Sequence, residues 1–182
     1  GVTNNVAGIN VSGVYGYGGG VFAAALGLGE ETVQVTSNQV LGNSATGYRG
    51  VGYGGGIWAG SYTYLFADHD VRVQDNTVTQ NTASTGAGVE VVLRSFELAF
   101  DQNASLAVSE NTISGNTATN LDEFSGGGGL SAGMFVQRSS AAGISFTVED
   151  NVIRQNTAEV DGAGAELRVS AWGSNFFDSG DT

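Results

Sequence analysis

The chain has 182 residues, of which 30 are Gly, with neither Pro nor Cys. Eighteen acidic residues against six basic ones give a net charge of −12, and such a body repels phosphate backbones and anionic lipid, which argues against nucleic-acid and membrane-surface partners. The missing Cys excludes disulfides and thiolate-metal sites. No apolar run reaches the roughly 18 residues a membrane-spanning helix needs, and the glycines follow no collagen-like Gly-X-Y period.

Residues 1–32 read as a degenerate first coil. Asn4, Asn5, Val6 and Ile9 only loosely follow the phrase that the rest of the chain repeats, whereas Gly18-Gly19-Gly20-Val21 is regular. From residue 33 onward one phrase recurs. It opens on Asn38, Asn76, Asn111 and Asn151, places Val40, Val78, Ile113 or Ile153 two residues later, and closes on Asn43, Asn81, Asn116 or Asn156, five after the first Asn. The steps between copies are 38, 35 and 40 residues, a spacing that marks stacked supersecondary units.

A short alternating run precedes each copy: Val33-Gln34-Val35, Val71-Arg72-Val73, Leu106-Ala107-Val108 and Phe146-Thr147-Val148. Period-two alternation predicts a strand with one buried face. The first Asn then predicts a tight bend, because Asn tolerates the left-handed region. If it recurs one coil later, the amides stack, each donating to the next and accepting from the last. The second Asn predicts a second corner. A glycine cluster and a third strand follow, as in Gly54-Gly55-Gly56-Ile57 and Gly127-Gly128-Gly129-Leu130. A phosphate-cradling loop would need a helix next, and the residues after each cluster alternate like a strand instead. Three strands of about five residues with short turns need roughly 20–25 residues. The surplus predicts one expanded loop per coil, within 61–69, 95–105 and 137–143.

The strand–Asn–x–(Ile/Val)–x–Gly–Asn–Thr–Ala phrase followed by Gly-Gly-Gly-(Ile/Leu) resembles right-handed parallel β-helix repeats. It is similar to those of polymorphic outer-membrane proteins, autotransporter passenger domains and surface adhesins. The resemblance covers about 30–182. It implies an all-β, right-handed parallel β-helix (solenoid) of about five coils, with three short strands and one expanded loop in each. The chain then reads as a single domain over 1–182, a segment of a longer chain or a stacking subunit. The implied role is a structural or adhesive, non-catalytic protein of the cell surface or extracellular space, associating end to end with other copies of itself. The alternative is a polysaccharide-degrading or glycan-binding β-helix of the lyase, hydrolase or tailspike kind.

Candidate chemistry is sparse. The residues before the first Asn (Ser37, Asp75, Glu110, Asp150) should stack at ~4.8 Å from coil to coil. The three carboxylates then repel unless a cation such as Ca²⁺ intervenes, or they sit in a solvated turn. Alternation along the glycine strands points Phe22, Trp58, Glu90, Ser131 and Glu166 outward, a candidate partner or glycan surface. Tyr62, Tyr64, Phe66, Phe96, Phe100, Phe135 and Phe176 fall in or after these strands and read either as a satellite core under the loops or as part of a partner or ligand surface. His69, between Asp68 and Asp70, reads as a loop residue. No nucleophile elbow and no second His are present, so no catalytic set is assembled. Asn10-Val11-Ser12 and Asn103-Ala104-Ser105 match the glycosylation acceptor pattern.

Overall fold

Every strand in the computed structural model pairs in parallel with the strand one repeat away. The structure describes residues 1–7, 16–27, 29–46, 52–63, 68–98, 103–119, 127–138, 143–159 and 162–173. With strands numbered along the chain, four columns make up the walls of a β-solenoid. The first holds β5 (Glu31–Thr36), β10 (His69–Gln74), β14 (Asn103–Ser109) and β18 (Gly143–Glu149). The second holds β1 (Val2–Thr3), β6 (Gln39–Leu41), β11 (Thr77–Thr79), β15 (Thr112–Ser114) and β19 (Val152–Arg154). The third holds β2 (Val6–Ala7), β7 (Ser44–Ala45), β12 (Thr82–Ala83), β16 (Thr117–Ala118) and β20 (Thr157–Ala158). The fourth follows the glycine clusters: β4 (Val21–Gly27), β9 (Ile57–Thr63), β13 (Val89–Leu98), β17 (Leu130–Arg138) and β21 (Ala165–Gly173). A two-stranded outer sheet pairs β3 (Gly16–Tyr17) with β8 (Gly52–Tyr53).

The alternation read from sequence decides which atoms go inside. Along β5 burial alternates residue by residue, with Val33 and Val35 inside. The register stacks like on like: Val33, Val71, Leu106 and Phe146 form one inner row, and Val40, Val78, Ile113 and Ile153 another. These rows and their partners from the fourth column form one continuous apolar core. Fully burying such a side chain is worth about 1.5–3 kcal/mol. A separate small cluster of Ala45, Ala83, Ala87 and Ala118 fills the corner where the glycine turn meets the third column. In each cluster the first glycine has positive φ, as at Gly54 (62°) and Gly127 (64°). In the first four clusters the third lies against the second asparagine of the next lap: a Cβ on Gly88 would come 2.8 Å from Asn116 Nδ2, so only glycine fits.

Several expectations are corrected. Each complete lap has four strands, not three, because the two residues after the second Asn form their own column. The fourth-column strands run 7 to 10 residues, longer than the five assumed, and absorb much of the surplus assigned to loops. Between that column and the next lie 28–30, 64–68, 99–102 and 139–142, of which 28, 64–67, 99–102 and 139–142 are outside the described residues. The first lap has no described member in the β5 column, so fewer than five laps are complete. The bend is also displaced by one residue. Positive φ falls on Ser37 (56°), Asp75 (55°), Glu110 (58°) and Asp150 (53°), the residue before each first Asn. The Asn itself does the hydrogen bonding.

Candidate functional site

Two asparagine columns run along the inside of the corners. Asn38 N–H and Nδ2 donate to Asn76 Oδ1 (3.0 and 3.1 Å), Asn76 to Asn111 (3.0 and 2.9 Å), and Asn111 to Asn151 (3.0 and 2.9 Å). In the second column Asn43 donates in the same way to Asn81, Asn81 to Asn116, and Asn116 to Asn156. From the second lap of each column onward, Nδ2 also reaches a carbonyl of the preceding lap, as Asn111 does to Val73 at 2.9 Å. The second column has a fifth member that the sequence reading placed out of phase. Asn5 N–H and Nδ2 donate to Asn43 Oδ1 at 2.8 and 3.0 Å. The signal was present: Asn5 follows Val2 by three residues and precedes Ala7 by two, the spacing of Val40, Asn43 and Ala45.

The acids before the first corner do stack on the outside, and all are exposed. Ser37 Oγ donates to Asp75 Oδ2 at 2.8 Å, and Gln74 Nε2 donates to Glu110 Oε2 at 3.1 Å. Neighbouring polar side chains thus share the carboxylates' charge. Among the described residues no three of His, Asp and Glu come together in a way that could hold a metal ion.

The outer face of the fourth column is more built than its sequence suggested. Phe22, Trp58, Glu90, Ser131 and Glu166 lie in one row. Phe22 is 55% exposed, but Trp58 is 4% and Glu90 7% exposed, so these two are covered rather than displayed. The Phe22 ring stacks on Trp58 (4.9 Å, 16°), and Tyr17 stacks on Tyr53 (5.2 Å, 14°) while meeting Trp58 edge-on. The six-membered ring of Trp58 lies over Gly60, where a Cβ would collide with it. Tyr62 lies nearly parallel to Trp58 (8°). One lap on, the Arg94 guanidinium sits between Tyr62 (5.6 Å) and Phe135 (5.1 Å). Tyr62 and Phe135 therefore belong to this outer face rather than to a core beneath loops. Phe96 also lies in β13 and is partly exposed; Tyr64, Phe66, Phe100 and Phe176 lie outside the described residues.

Burial pushes the Glu90 carboxyl up to about 8, against the lowering influence of Arg94 and the Gly54 N–H. Burial likewise raises the Tyr62 phenol, with Arg94 opposing it. Glu166 pairs with Arg168 on the same strand. Asn103, exposed at the start of β14, donates its N–H to Asp68 Oδ1 at 2.7 Å; Asn10 lies outside the described residues.

A second constellation was not foreseen. His69 is the first residue of β10, not a loop residue, and its side chain points inward, 2% exposed. It shares an inner row with Glu31, and both meet Ser61 of β9. Ser61 Oγ donates to Glu31 Oε2 at 2.6 Å and lies 3.3 Å from His69 Nδ1. With the hydroxyl hydrogen committed to Glu31, that second contact requires Nδ1 to carry the imidazole proton. Glu31 Oε1 and His69 Nε2 are buried without hydrogen-bond partners. Burial lowers the His69 pKa, with Glu31 and Asp68 working the other way. The hydroxyl points at the carboxylate and all three groups are covered, so the trio is closed to a substrate as it stands. Among the described residues no helix is long and apolar enough to cross a membrane. No protein-family model, no curated protein and no solved structure matches the chain.

Proposed function

We propose that this chain is a structural or adhesive, non-catalytic rod of an extracellular surface or filament protein, extended by docking one lap onto another. The observation that carries the reading is the last described lap. Leu167 and Val169 occupy inner rows whose members one lap earlier, Ala132 and Met134, are 1% and 0% exposed; yet they are 50% and 55% exposed. Among the described residues the asparagine columns also have their last members in this lap. Asn151 and Asn156 accept from the lap before, and among the described residues no further Oδ1 takes their own main-chain N–H groups. A face that offers apolar rows and aligned donors complements another lap of the same repeat. The extracellular placement rests on the resemblance to surface-protein repeats.

Sedimentation velocity across a wide concentration range tests the docking. Association that rises with concentration, and is abolished in Leu167→Lys/Val169→Glu with an unchanged melting temperature, is the expected result. A monodisperse monomer at every concentration would overturn it. A glycan-binding role is the second reading, favoured by the aromatic outer face.

A further inference from the structure

We propose that the trough on the outer face of β4 and β9, closed on one side by Arg94, is a binding site for a pyranose ring bearing a carboxylate, the terminal unit of an acidic glycan. The trough has a volume of about 390 Å³, within the roughly 300–1,000 Å³ of small-molecule sites. Its lining combines Tyr17, Phe22, Leu26, Trp58, Tyr62 and Arg94 around the small Ala24.

The chemistry of that lining selects the occupant. Phe22, Tyr17 and Leu26 are 55%, 42% and 75% exposed, so apolar faces are presented to solvent rather than consumed by packing. The C–H face of a sugar ring can lie on such surfaces while its hydroxyls stay at the rim. Trp58 supplies a rigid base, fixed by Phe22 above it and by the space over Gly60. A purely apolar ligand would strip water from the phenols and the guanidinium without replacing those bonds.

Charge narrows the class further. Arg94 is the one charged group among the residues lining the trough, on a chain whose net charge is −12. Its Cζ lies over the rings of Tyr62 (5.6 Å) and Phe135 (5.1 Å), which hold the guanidinium at the edge of the trough. A planar fork of this kind matches a carboxylate in a bidentate arrangement. The neighbouring carboxyl, Glu90, is buried and holds its proton at neutral pH, so it does not cancel Arg94. A protein partner is a poorer fit, since a stable interface needs upward of roughly 1,000 Å² and the exposed rings make only a small patch.

The test follows Trp58 emission in a Trp172→Phe background, which leaves one tryptophan. Methyl glucuronide, methyl glucoside and glucose 6-phosphate are titrated into the full chain. The expected result is a saturable change with the glucuronide, with the neutral glucoside about tenfold weaker or worse; tighter binding of the phosphate than of the glucuronide would overturn the carboxylate assignment. Arg94→Met keeps a long apolar stem between the two rings and removes the donors; it should erase the preference for the carboxylate. Phe22→Ala, which removes the exposed ring, should weaken every sugar, with a fall in melting temperature no larger than the loss of one aromatic stack implies. Equal binding of neutral and carboxylated sugars, or no response to any sugar at tens of millimolar, overturns the proposal. So does loss of self-association in Phe22→Ala, which would assign the face to a second copy. These readouts are independent of the docking test at Leu167 and Val169.

Discussion

The two asparagine columns and the Glu31–Ser61–His69 trio solve one problem in opposite ways. Both place polar side chains inside an apolar tube. In the columns every lap supplies the same amide, so an interior Oδ1 such as that of Asn116 receives two donors from the lap before, and an interior Nδ2 finds acceptors on both sides. The trio exists in only two laps. One row continues as Ala104 and Ile144 and the other as Leu93 and Met134, so nothing further along the axis can complete its bonds. Glu31 Oε1 and His69 Nε2 are left bare. A buried polar group costs little in a solenoid when the repeat extends it along the axis, and costs about 1–3 kcal/mol per orphaned atom when it does not.

Breaking a column from the middle should have the largest effect. Asn116 is 0% exposed. In Asn116→Ala the Asn81 main-chain N–H loses its acceptor, the Val78 carbonyl loses a donor and a cavity opens. Orphaned groups of this kind sum to roughly 4–6 kcal/mol. Asn156→Ala removes a half-buried member of the last described lap and should cost less than half as much. Urea denaturation of both variants measures the ratio; equal losses would mean that the columns do not act cooperatively along the axis.

Glu90 sharpens the comparison, because it is a buried polar group outside both arrangements and its Oε2 has no partner. Its folded-state pKa of about 8 lies above the ordinary 4.5, so the native state holds a proton that the unfolded state releases. Stability linked to that proton is fully present below pH 4.5 and is lost as pH rises to 8, at up to about 1.4 kcal/mol per unit. Glu90→Gln should therefore be the more stable protein at pH 8 by a few kcal/mol and lack this fall in stability between pH 6.5 and 8. Unfolding curves at pH 4.5, 6 and 8 decide it, and parallel slopes in both proteins would show that the carboxyl is ionised in the fold.

The trio predicts a smaller effect of opposite sign. Burial holds the folded-state pKa of His69 below the ordinary 6.5, so the unfolded chain binds the proton more readily. Stability from the neutral imidazole is fully present above pH 6.5 and is lost as pH falls toward the native value. Replacing the trio by the residue kinds that follow it, as in Glu31→Val/Ser61→Leu/His69→Ala, should remove this acid sensitivity. It should leave stability at pH 7.5 unchanged or higher by about 1–2 kcal/mol, since removing all partners together leaves no orphan. Single His69→Ala should not reproduce the gain. Thermal melts from pH 5 to 7.5 measure both.

The same contrast explains what could be read from the sequence. The columns were legible because repetition is itself the signal: eight asparagines at fixed spacing have few structural meanings, and the inner rows follow from alternation. Asn5 escaped because the phrase was aligned on its asparagines rather than on Val2 and Ala7. The trio was illegible because Glu31, Ser61 and His69 are separated in sequence and meet only where the fourth column faces the first. Trp58 and Glu90 were correctly placed on the outer face, but their cover comes from the β3–β8 sheet and from rings such as Phe22, which alternation cannot reveal. The sandwich of Arg94 between Tyr62 and Phe135 depends on register across three laps, and an uncertain loop length hid it.

The smallest predicted effect tests the corners themselves. The residue before the second Asn is Gly42, Gln80, Gly115 or Gln155, with φ of 67°, 57°, 64° and 54°. At Gly115 space does not dictate glycine: a Cβ there would meet only Gln80 Cγ, at 3.9 Å. The backbone conformation does, because an L side chain in the left-handed region costs about 1–2 kcal/mol. Gln80→Gly should relieve that strain while adding freedom to the unfolded chain, which offsets part of the gain. The net expectation is a stabilisation of about 0.5 kcal/mol, repeated at Gln155→Gly and additive with it, since the two lie two laps apart. Gln80→Ala keeps the Cβ and should gain nothing, so chemical denaturation of the three variants separates backbone strain from any loss at the glutamine side chain.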